Sequence, residues 1–592
     1  MSAASPKRTL PPATALAGER FGARDAMALA LVLALAFIMM ARVGSRRGIE
    51  LMPWPDGLEY AAQAVNLDNG RGPVLHFGGY SYPSRYTEGY PLILAAALPI
   101  VGHDVARLFT VTIAIGLCAI VAIYVLALKL FGRPSAIVAA VLLALCPVFL
   151  TYSTLVLSDV PNTAITIFAA YALTKATQEE GRAERISALY ATWIVLGFIA
   201  GFSTIVRPTN AMIIGGVGLA LIVVPPKGLN IREMVIAAAG VIVAFALMPL
   251  VQMHTNSVHL GGAFRSGYGW WVPEVYSPSG YPFSASHLFG PTLPRNPHGN
   301  VPVYVTALMG LDGMLGDQGD PRYFLYPFAA AVFAAVGIAA ALGQGNNRLA
   351  RRIVWFGLGL LGLLFAVYSF DLFTETAYLL PGMVIVFVMA GYGAVVANRS
   401  MRETFAARRR PAAAMIVAAG VAALDLMLVI SLVTELSVRL NAEPRESTMV
   451  PSLAEVETTI GPAATVVSNI SLQFLELYIP GDGRNFVGLN SLDPGEDFTD
   501  YHLNRLFAKR AGGWTGPLPR VLFDGDAMTP AVESALIAGA RKPGGAYLLL
   551  CAPESQDYAD VLRGEVEKMN AALVLEPLTQ TRTIALYRIT PR

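Results

Sequence analysis

The chain has 592 residues, of which 55% are hydrophobic and only 14% are charged, and its mean hydropathy is +0.53. These values exclude an ordinary soluble globular protein and predict a polytopic α-helical membrane protein. The net charge of +2 is small, and the basic residues lie in short loops between apolar runs, so we expect no nucleic-acid partner.

Apolar runs long enough to cross a bilayer recur along the chain as far as residue 434. A window of about 20 residues, the length that spans the hydrocarbon core, predicts about eleven transmembrane helices. They cover approximately residues 26–43, 106–128, 134–152, 160–176, 188–206, 209–225, 234–253, 323–343, 353–371, 376–397 and 412–434. The first run lacks a small-residue cleavage site, so we interpret it as a retained helix.

Lysine and arginine residues are concentrated in every second loop between these runs. The basic loops hold Lys129 and Arg133, then Lys175, Arg182 and Arg185, then Lys227 and Arg232, then Arg348, Arg351 and Arg352, then Arg399, Arg402, Arg408, Arg409 and Arg410. The positive-inside rule makes these loops and the tail of residues 1–25 cytoplasmic. The loops 44–105 and 254–322 and the C-terminal segment 435–592 then face outward.

Residues 90–100 are apolar but number only about a dozen and are bracketed by prolines, so an interfacial or re-entrant position suits them better than a span. Omitting this segment preserves the alternation of basic loops. It also delivers Asp56 and Asp159 to the same outer face.

Asp56 follows the first span in the sequence Pro53-Trp54-Pro55-Asp56-Gly57. Carboxylates beside a bilayer are costly and usually serve a polar task, so this acidic loop is a candidate functional site. Pro-Asp-Gly is also an ordinary turn sequence, and on Asp56 alone both interpretations stay open.

The second outward loop, 254–322, contains Trp270, Trp271 and several tyrosines. Such aromatic residues anchor a protein at the headgroup level or stack on sugar rings. Its four histidines have no spacing typical of metal ligands, and neither do the three cysteines of the chain, so no zinc site is predicted.

Residues 435–592 have shorter apolar runs and more charge, which predicts a soluble α/β domain large enough for its own core. Helical patterns occur at 452–460, 502–510 and 530–541, and strand-like runs at 464–468, 484–489, 546–551, 572–576 and 583–589. The Asp-Gly pairs at 481–483 and 524–526 are interpreted as turns, with calcium binding as an alternative.

Two glycine patterns inside apolar runs indicate close helix packing rather than cofactor binding. Gly357, Gly359 and Gly362 match the dinucleotide fingerprint but lack the preceding strand, and Gly197 with Gly201 forms a similar small-residue pair. The chain has no phosphate-binding loop of the ATPase type, so an activated substrate or a gradient must supply the energy.

Four motifs occur in a characteristic order: Asp56 in the first outer loop, Arg85–Pro91, Leu157–Pro161 and Phe202–Thr209. Together they resemble the GT-C glycosyltransferases, most closely the branch of protein O-mannosyltransferases and lipid A aminoarabinose transferases, over residues 26–400. The resemblance implies a transmembrane catalytic domain over residues 26–434 in a bacterial inner (plasma) membrane. It also implies transfer of a sugar from a polyprenyl-phosphate donor to a glycolipid, polysaccharide or protein hydroxyl on the outer face.

This chemistry assigns roles to several residues. Asp56 is the candidate general base for the acceptor hydroxyl, and Asp159 matches the second acidic residue of the family's site. Arg207 and Arg85 are candidates to stabilise the departing phosphate. Glu59 lies one helical turn from Asp56 and could support the base or face water.

Glu88 lies where some relatives place an acidic residue that contacts metal, so a divalent ion is a possible cofactor. Its motif Thr87–Pro91 departs from the family's double-proline form, and metal use stays open. Tyr378 is carried over from an Arg-Tyr pair of which this chain keeps only the tyrosine. The structural alternatives are a helix cap or salt bridge for Asp159 and Glu88, and interfacial snorkelling for Arg207.

A secondary transporter or flippase for an amphiphilic envelope substrate is the main alternative function. It predicts internal repeats and charged groups near the centre of the bilayer, whereas the acidic residues here gather at one face. A sensor with an external domain is a third possibility, and it would leave Asp56 dispensable.

Overall fold

The computed structural model describes residues 21–45, 56–77, 80–178, 186–226, 229–268, 283–292, 297–311, 325–343, 347–406, 411–441, 449–468, 472–479, 484–488, 536–551, 573–581 and 584–591. The chain divides into two compact units. The helical unit comprises Met1–Val43, Thr112–Gln252 and Tyr281–Glu443, and the mixed unit comprises Gly44–Val111, Met253–Gly280 and Pro444–Arg592.

Helices make up most of the described chain. In chain order they are α1 (Ala23–Ser45), α2 (Asp56–Asp68), α3 (Gly89–Ala97), α4 (Phe109–Phe131), α5 (Arg133–Ala144), α6 (Pro147–Ser153), α7 (Asp159–Gln178), α8 (Ile186–Val206), α9 (Met212–Val223), α10 (Ile231–Leu260), α11 (Asn300–Leu308), α12 (Phe328–Gly343), α13 (Arg348–Ser369), α14 (Leu380–Ala406), α15 (Pro411–Asn441), α16 (Met449–Thr459) and α17 (Leu472–Tyr478). Each predicted transmembrane segment corresponds to a helix or, for 134–152, to the bent pair α5 and α6.

Among the described residues, six helices are long and apolar enough to cross a membrane, or seven if the pair α5 and α6, bent by 62°, counts as one span. The predicted number of about eleven spans is therefore not confirmed. The difference arises partly from α9 and α12, which have 12 and 16 residues and are shorter than the thickness of the hydrocarbon core requires.

Helix α14 lies at the centre of the helical unit. In the 18-residue apolar window of the span Thr376–Thr404, 89% of the residues are buried, whereas in that of the span Ala412–Ser431 of α15 only 6% are buried. Around α14 pack α5, α7, α12, α13 and α15.

Glycines permit the close approaches that the sequence predicts. A Cβ on Gly357 would lie 2.2 Å from the Ile385 side chain of α14, and a Cβ on Gly201 would lie 2.4 Å from the Phe245 carbonyl oxygen of α10. Both contacts leave no room for a larger residue, so these glycines serve helix packing.

A buried ionic cluster joins α1 to α4 and α5. The Asp25 carboxylate is fully buried and accepts hydrogen bonds from Arg133 Nε at 2.7 Å, Arg133 Nη2 at 2.9 Å and Tyr124 Oη at 3.1 Å. Because the charge inside the first span is paired and hydrogen-bonded, it fixes the helix without leaving an isolated ion.

The mixed unit begins with α2, whose first residue is Asp56. Asp56 therefore starts a helix, where its carboxylate interacts favourably with the N-terminal end of the helix dipole, while Pro55 of the Pro-Asp-Gly sequence lies outside the described residues. The strands β1 (Val74–Phe77) and β2 (Tyr80–Pro83) follow as an antiparallel hairpin. Helix α3 has nine residues, about 13 Å at the usual rise, and is too short to span a bilayer, as the sequence predicts.

The C-terminal part of the mixed unit contains a five-stranded sheet. Its strands are β3 (Thr465–Ser468), β4 (Asn485–Gly488), β5 (Ala546–Cys551), β6 (Leu573–Gln580) and β7 (Ile584–Pro591), in the spatial order β4-β3-β5-β7-β6. The pairs of β3 with β4 and β5 are parallel, and those of β7 with β5 and β6 are antiparallel. The predicted C-terminal α/β domain is thus confirmed.

Helix α17 is absent from the predicted elements. Within the mixed unit it packs against α2 and β1, so the C-terminal domain contacts the segment that carries Asp56. The predicted helix 502–510, most of the predicted helix 530–541, the turns at 481–483 and 524–526 and the pair Trp270-Trp271 lie outside the described residues.

Candidate active site

The predicted site residues form two clusters, one in each unit. The Asp56 cluster, in the mixed unit, contains Asp56, Glu59, Arg85 and Glu88. The Asp159 cluster, in the helical unit, contains Asp159, Arg207 and Tyr378.

In the Asp56 cluster, the carboxylate of Asp56 accepts a hydrogen bond at Oδ1 from the hydroxyl of Tyr86. Asp56 lies in the first turn of α2, and both the helix N-terminus and the hydroxyl donor stabilise a negative charge at this position. Burial raises the pKa of Tyr86 well above its usual range, and the neighbouring charge of Asp56 adds to the effect. Tyr86 therefore stays protonated and acts as the donor.

Glu59 and Arg85 form a buried ion pair beside Asp56. Their side chains are only 1% and 6% exposed, and Arg85 Nε donates to Glu59 Oε1 at 2.6 Å while Arg85 Nη2 also contacts that oxygen. Glu59 Oε2 accepts from the Arg85 backbone N–H at 3.2 Å and from Ser84 Oγ at 3.3 Å. Glu59 therefore does not face water, and its contacts are with residues 84 and 85; its support of Asp56 stays a prediction.

The electrostatics of this pair keep both groups in place. Burial raises the pKa of Glu59, and the Arg85 guanidinium acts against that rise. Burial alone would lower the pKa of Arg85, but its interactions with Glu59 and with other nearby acidic groups, Asp56 among them, together outweigh burial. The net pKa of Arg85 is therefore raised, and the guanidinium remains cationic.

Tyrosine rings pack around the hydroxyl of Tyr86. Its ring centroid lies 4.6 Å from that of Tyr60 and 5.5 Å from that of Tyr268, and Tyr60 in turn meets Tyr90 edge-on at 5.1 Å. These ring contacts restrict the rotation of Tyr86 and so fix the direction of its O–H bond.

Glu88 occupies the N-cap position of α3 but its side chain makes no capping hydrogen bond. Instead, Glu88 Oε1 accepts from Thr255 Oγ1 at 3.0 Å. The helix-cap alternative for Glu88 is therefore not observed. In the part of the chain that the structure describes, His, Cys, Asp and Glu form no group of three that could hold a metal ion.

In the Asp159 cluster, Asp159 pairs with Arg207 through Arg207 Nη1 and Asp159 Oδ1. Helix α7 begins at Asp159, and α8, which packs against α7, ends at Val206 because Pro208 disfavours a helical residue before it. The helix pair thus places the two charged residues together. The salt-bridge alternative for Asp159 is observed, and its partner is another predicted site residue.

Two tyrosine rings support the guanidinium of Arg207. Its Cζ lies 4.7 Å from the ring centroid of Tyr378 and 5.9 Å from that of Tyr368, and the two rings stack at 4.3 Å. Tyr368 Oη also lies 2.9 Å from Thr209 Oγ1. Cation–π contacts of this kind hold a guanidinium in place without neutralising it.

The loop before Tyr378 is held by Asn300 of α11. Its amide Nδ2 donates to the backbone oxygens of Tyr368 at 3.0 Å and Asp371 at 2.7 Å.

Two acidic side chains lie in the same loop. Glu375 Oε2 accepts from Tyr152 Oη at 3.1 Å. Burial raises the pKa of Asp371, and the Phe373 N–H and the charge of Arg207 partly oppose that rise.

The sequence analysis missed Tyr86 and Tyr368. Tyr86 lies inside the motif Arg85–Pro91, two residues before Glu88, so the motif itself carried the signal. Tyr368 lies at the end of an apolar helix and had no local signal, because only the packing of α13 brings it to Arg207.

Part of the chain resembles a known protein family. The sequence model of the family described as dolichyl-phosphate-mannose-protein mannosyltransferase matches residues 89–252. A comparison with curated proteins gives no match.

Several solved structures resemble the chain at low sequence identity, and three of them represent different proteins. ArnT from Cupriavidus metallidurans bound to undecaprenyl phosphate has a TM-score of 0.57 at 12% identity, covering 94% of this chain and 97% of that one. The apo oligosaccharyltransferase of Archaeoglobus fulgidus has a TM-score of 0.52 at 11% identity, covering 95% and 74%. The arabinofuranosyltransferase AftD from Mycobacteria has a TM-score of 0.52 at 14% identity, covering 98% of this chain and 40% of that one.

The chain therefore has the polytopic membrane fold of the GT-C glycosyltransferases, with a small C-terminal sheet domain. The predicted resemblance to the branch of ArnT and the protein O-mannosyltransferases is confirmed by the family match and by the structural neighbours.

Proposed function

We propose that the protein is an integral membrane glycosyltransferase that moves a sugar from a polyprenyl-phosphate-linked donor to an acceptor hydroxyl. The acceptor is a glycolipid, a polysaccharide or a protein. The observation that carries the proposal is the Asp56 carboxylate at the start of α2, hydrogen-bonded to Tyr86, in a chain with the GT-C fold. ArnT, a neighbour of similar length, has been solved with undecaprenyl phosphate, which supports a lipid-linked donor.

In the proposed reaction, the acceptor oxygen attacks the anomeric carbon of the donor, and the bond between that carbon and the phosphate oxygen breaks. The acceptor proton passes to Asp56, and polyprenyl phosphate leaves with the electron pair of the broken bond. Asp56 returns its proton to water before the next cycle. A carboxylate suits this task because it can accept a proton, and the Tyr86 hydroxyl that contacts it is a neutral donor.

Arg207 is the proposed partner of the phosphate. Negative charge grows on the leaving group as the bond breaks, and a fixed guanidinium in a partly dry site stabilises that charge more than water does. The side chain of Arg207 is 19% exposed, and the rings of Tyr378 and Tyr368 hold it without cancelling its charge. Asp159 orients Arg207 through their ion pair.

We place the reaction on the outer face of a bacterial inner membrane, with residues 435–592 on the same side. The argument is the alternation of basic loops, which assigns the segments carrying Asp56 and Asp159 to one compartment. Residues 26–434 would then form the catalytic domain.

The test is transfer by the purified full-length protein in proteoliposomes that contain radiolabelled polyprenyl-phosphate sugars and candidate acceptors. We expect label in the acceptor and an equal amount of free polyprenyl phosphate. Intact labelled donor that crosses the bilayer without cleavage would instead support a flippase and contradict a transferase.

A further inference from the structure

The hydroxyl of Tyr86 has no step in the reaction proposed above, although it makes the direct contact with the proposed base. Its partner is one named oxygen of the carboxylate, Asp56 Oδ1. A hydrogen bond at one oxygen restricts the rotation of the carboxylate and so helps to set its orientation.

The backbone around Tyr86 is fastened to the helix that carries Asp56. Gln63 Nε2 donates to the Tyr86 carbonyl oxygen at 3.1 Å, and the Tyr86 N–H donates to Ser84 Oγ at 3.0 Å. Ser84 and Arg85 in turn donate to Glu59. Since Glu59 and Gln63 both belong to α2, the residues 84–86 and the start of the helix form one rigid piece.

A third segment, Gly267 and Tyr268, packs against residues 84–86. A Cβ on Gly267 would lie only 2.0 Å from the Ser84 carbonyl oxygen and 2.6 Å from Arg85 Cα, so the backbone at Gly267 rests directly on residues 84 and 85. The next residue, Tyr268, meets the Tyr86 ring edge-on. The side chain of Tyr86 is thereby held by neighbours on both sides, Tyr60 and Tyr268.

We propose that Tyr86 is a positioning residue, whose hydroxyl holds Asp56 Oδ1 and so orients the carboxylate that receives the acceptor proton, and that the Glu59–Arg85 ion pair fixes Tyr86 for this task. The assignment rests on the proposed function, because it presumes that Asp56 is the base. It gives Arg85 a different role from phosphate binding: the guanidinium neutralises Glu59 and holds the backbone of residues 84–86.

Removing one hydroxyl tests the assignment. Tyr86→Phe keeps the ring and its contacts but loses the hydrogen bond to Asp56. A hydrogen bond to a charged group is worth enough for us to expect a fall of about ten-fold or more in kcat. The KM for donor should not change, because the hydroxyl does not touch the donor in this account.

The pH profile separates positioning from a merely structural role. A hydrogen bond to the carboxylate favours its charged form, so its loss makes protonation easier and should move the acid limb of kcat/KM to higher pH. Tyr124→Phe is the matched control, since it removes another tyrosine hydroxyl from another aspartate, Asp25. We expect Tyr124→Phe to keep the parent's kcat and pH profile. Melting curves of Tyr86→Phe and Tyr124→Phe check that both variants are folded.

Arg85→Lys decides between the two roles of Arg85. Lysine keeps the charge but cannot donate from two guanidinium nitrogens to Glu59. If the Glu59–Arg85 ion pair fixes Tyr86, this variant should have a lower kcat at constant donor KM. A higher donor KM with unchanged kcat would support phosphate binding by Arg85 and overturn the role of the ion pair.

Failure of the proposed function and failure of the Tyr86 assignment give different results in these assays. If Asp56→Asn transfers sugar as well as the parent, or the parent transfers none, the proposed function is wrong and the assignment of Tyr86 falls with it. If Asp56→Asn is inactive while Tyr86→Phe keeps the parent's kcat and pH profile, the proposed function stands and Tyr86 is not a positioning residue.

Discussion

The two clusters of candidate site residues hold their carboxylates through different donors. Asp56 accepts a hydrogen bond from a neutral hydroxyl, that of Tyr86. Asp159 pairs with a guanidinium, and its charge is largely compensated. The sequence alone makes these acids look equivalent, because each lies in an outer loop of the predicted topology. In the proposed reaction Asp56 takes the acceptor proton, whereas Asp159 orients Arg207.

The clusters also differ in how the chain assembles them. Most of the Asp56 cluster comes from residues 56–90, one short stretch of helix, hairpin and loop. The Asp159 cluster joins the start of α7, the end of α8, the end of α13 and the turn before α14. Substitutions in the first should therefore act locally, whereas those in the second should act through the charge of Arg207.

The largest effect among the Asp159 cluster is expected for Arg207→Ala. Losing a preorganised donor to a developing negative charge lowers rates by about 100-fold or more, and here the fall should appear in kcat/KM for the lipid donor. The acceptor KM should change little. Steady-state transfer kinetics with each substrate varied in turn measure both, and Arg207→Lys is the control that keeps the charge.

A selective rise in the acceptor KM of Arg207→Ala, with donor use intact, would contradict the phosphate role. It would also weaken the contrast between the clusters, because Arg207 would then act on the same substrate as Asp56.

A smaller effect, a fall of about ten-fold in donor kcat/KM, is expected for Asp159→Asn. The asparagine keeps a hydrogen-bond acceptor for Arg207 but loses the opposing charge. If Asp159 acts only through Arg207, the double variant Asp159→Asn/Arg207→Ala should be no worse than Arg207→Ala alone. Additive losses in that double-mutant cycle would show an independent role for Asp159.

The smallest effect is expected for Glu88→Gln, within about three-fold of the parent. Glutamine preserves an oxygen that can accept from Thr255, and no trio of potential metal ligands is present among the described residues. Transfer assays with added Mg²⁺ or with chelator measure this. A large loss in Glu88→Gln that excess Mg²⁺ restores would instead assign a metal ion to the Asp56 cluster.

Local sequence carried most of what could be predicted about these clusters. The apolar runs predicted the helices because burial in a bilayer demands long uninterrupted stretches, and Asp56, Glu59, Arg85 and Glu88 lie close enough in sequence to be considered together. Short elements were harder, since a helix of seven residues such as α17 shows too few turns for its periodicity to appear.

Long-range partners could not be predicted. Thr255 meets Glu88 from 167 residues away, and Tyr368 meets Thr209 from 159 residues away. Such contacts depend on which helix faces pack together, which the composition of the individual helices does not specify. The pairing of Arg85 with Glu59 is of the same kind, because it depends on how residues 84–86 fold back onto α2.

The most direct measurement is sugar transfer by Asp56→Asn beside Asp68→Asn, an identical change at the other end of α2, where the carboxylate lies 3.1 Å from His103 Nδ1 and away from the candidate site residues. With radiolabelled polyprenyl-phosphate sugar and acceptor, we expect Asp56→Asn to lose transfer by about 1,000-fold or more, given the combined loss of a general base and of its charge. Asp68→Asn should match the parent. Equal transfer by Asp56→Asn and the parent would contradict the account.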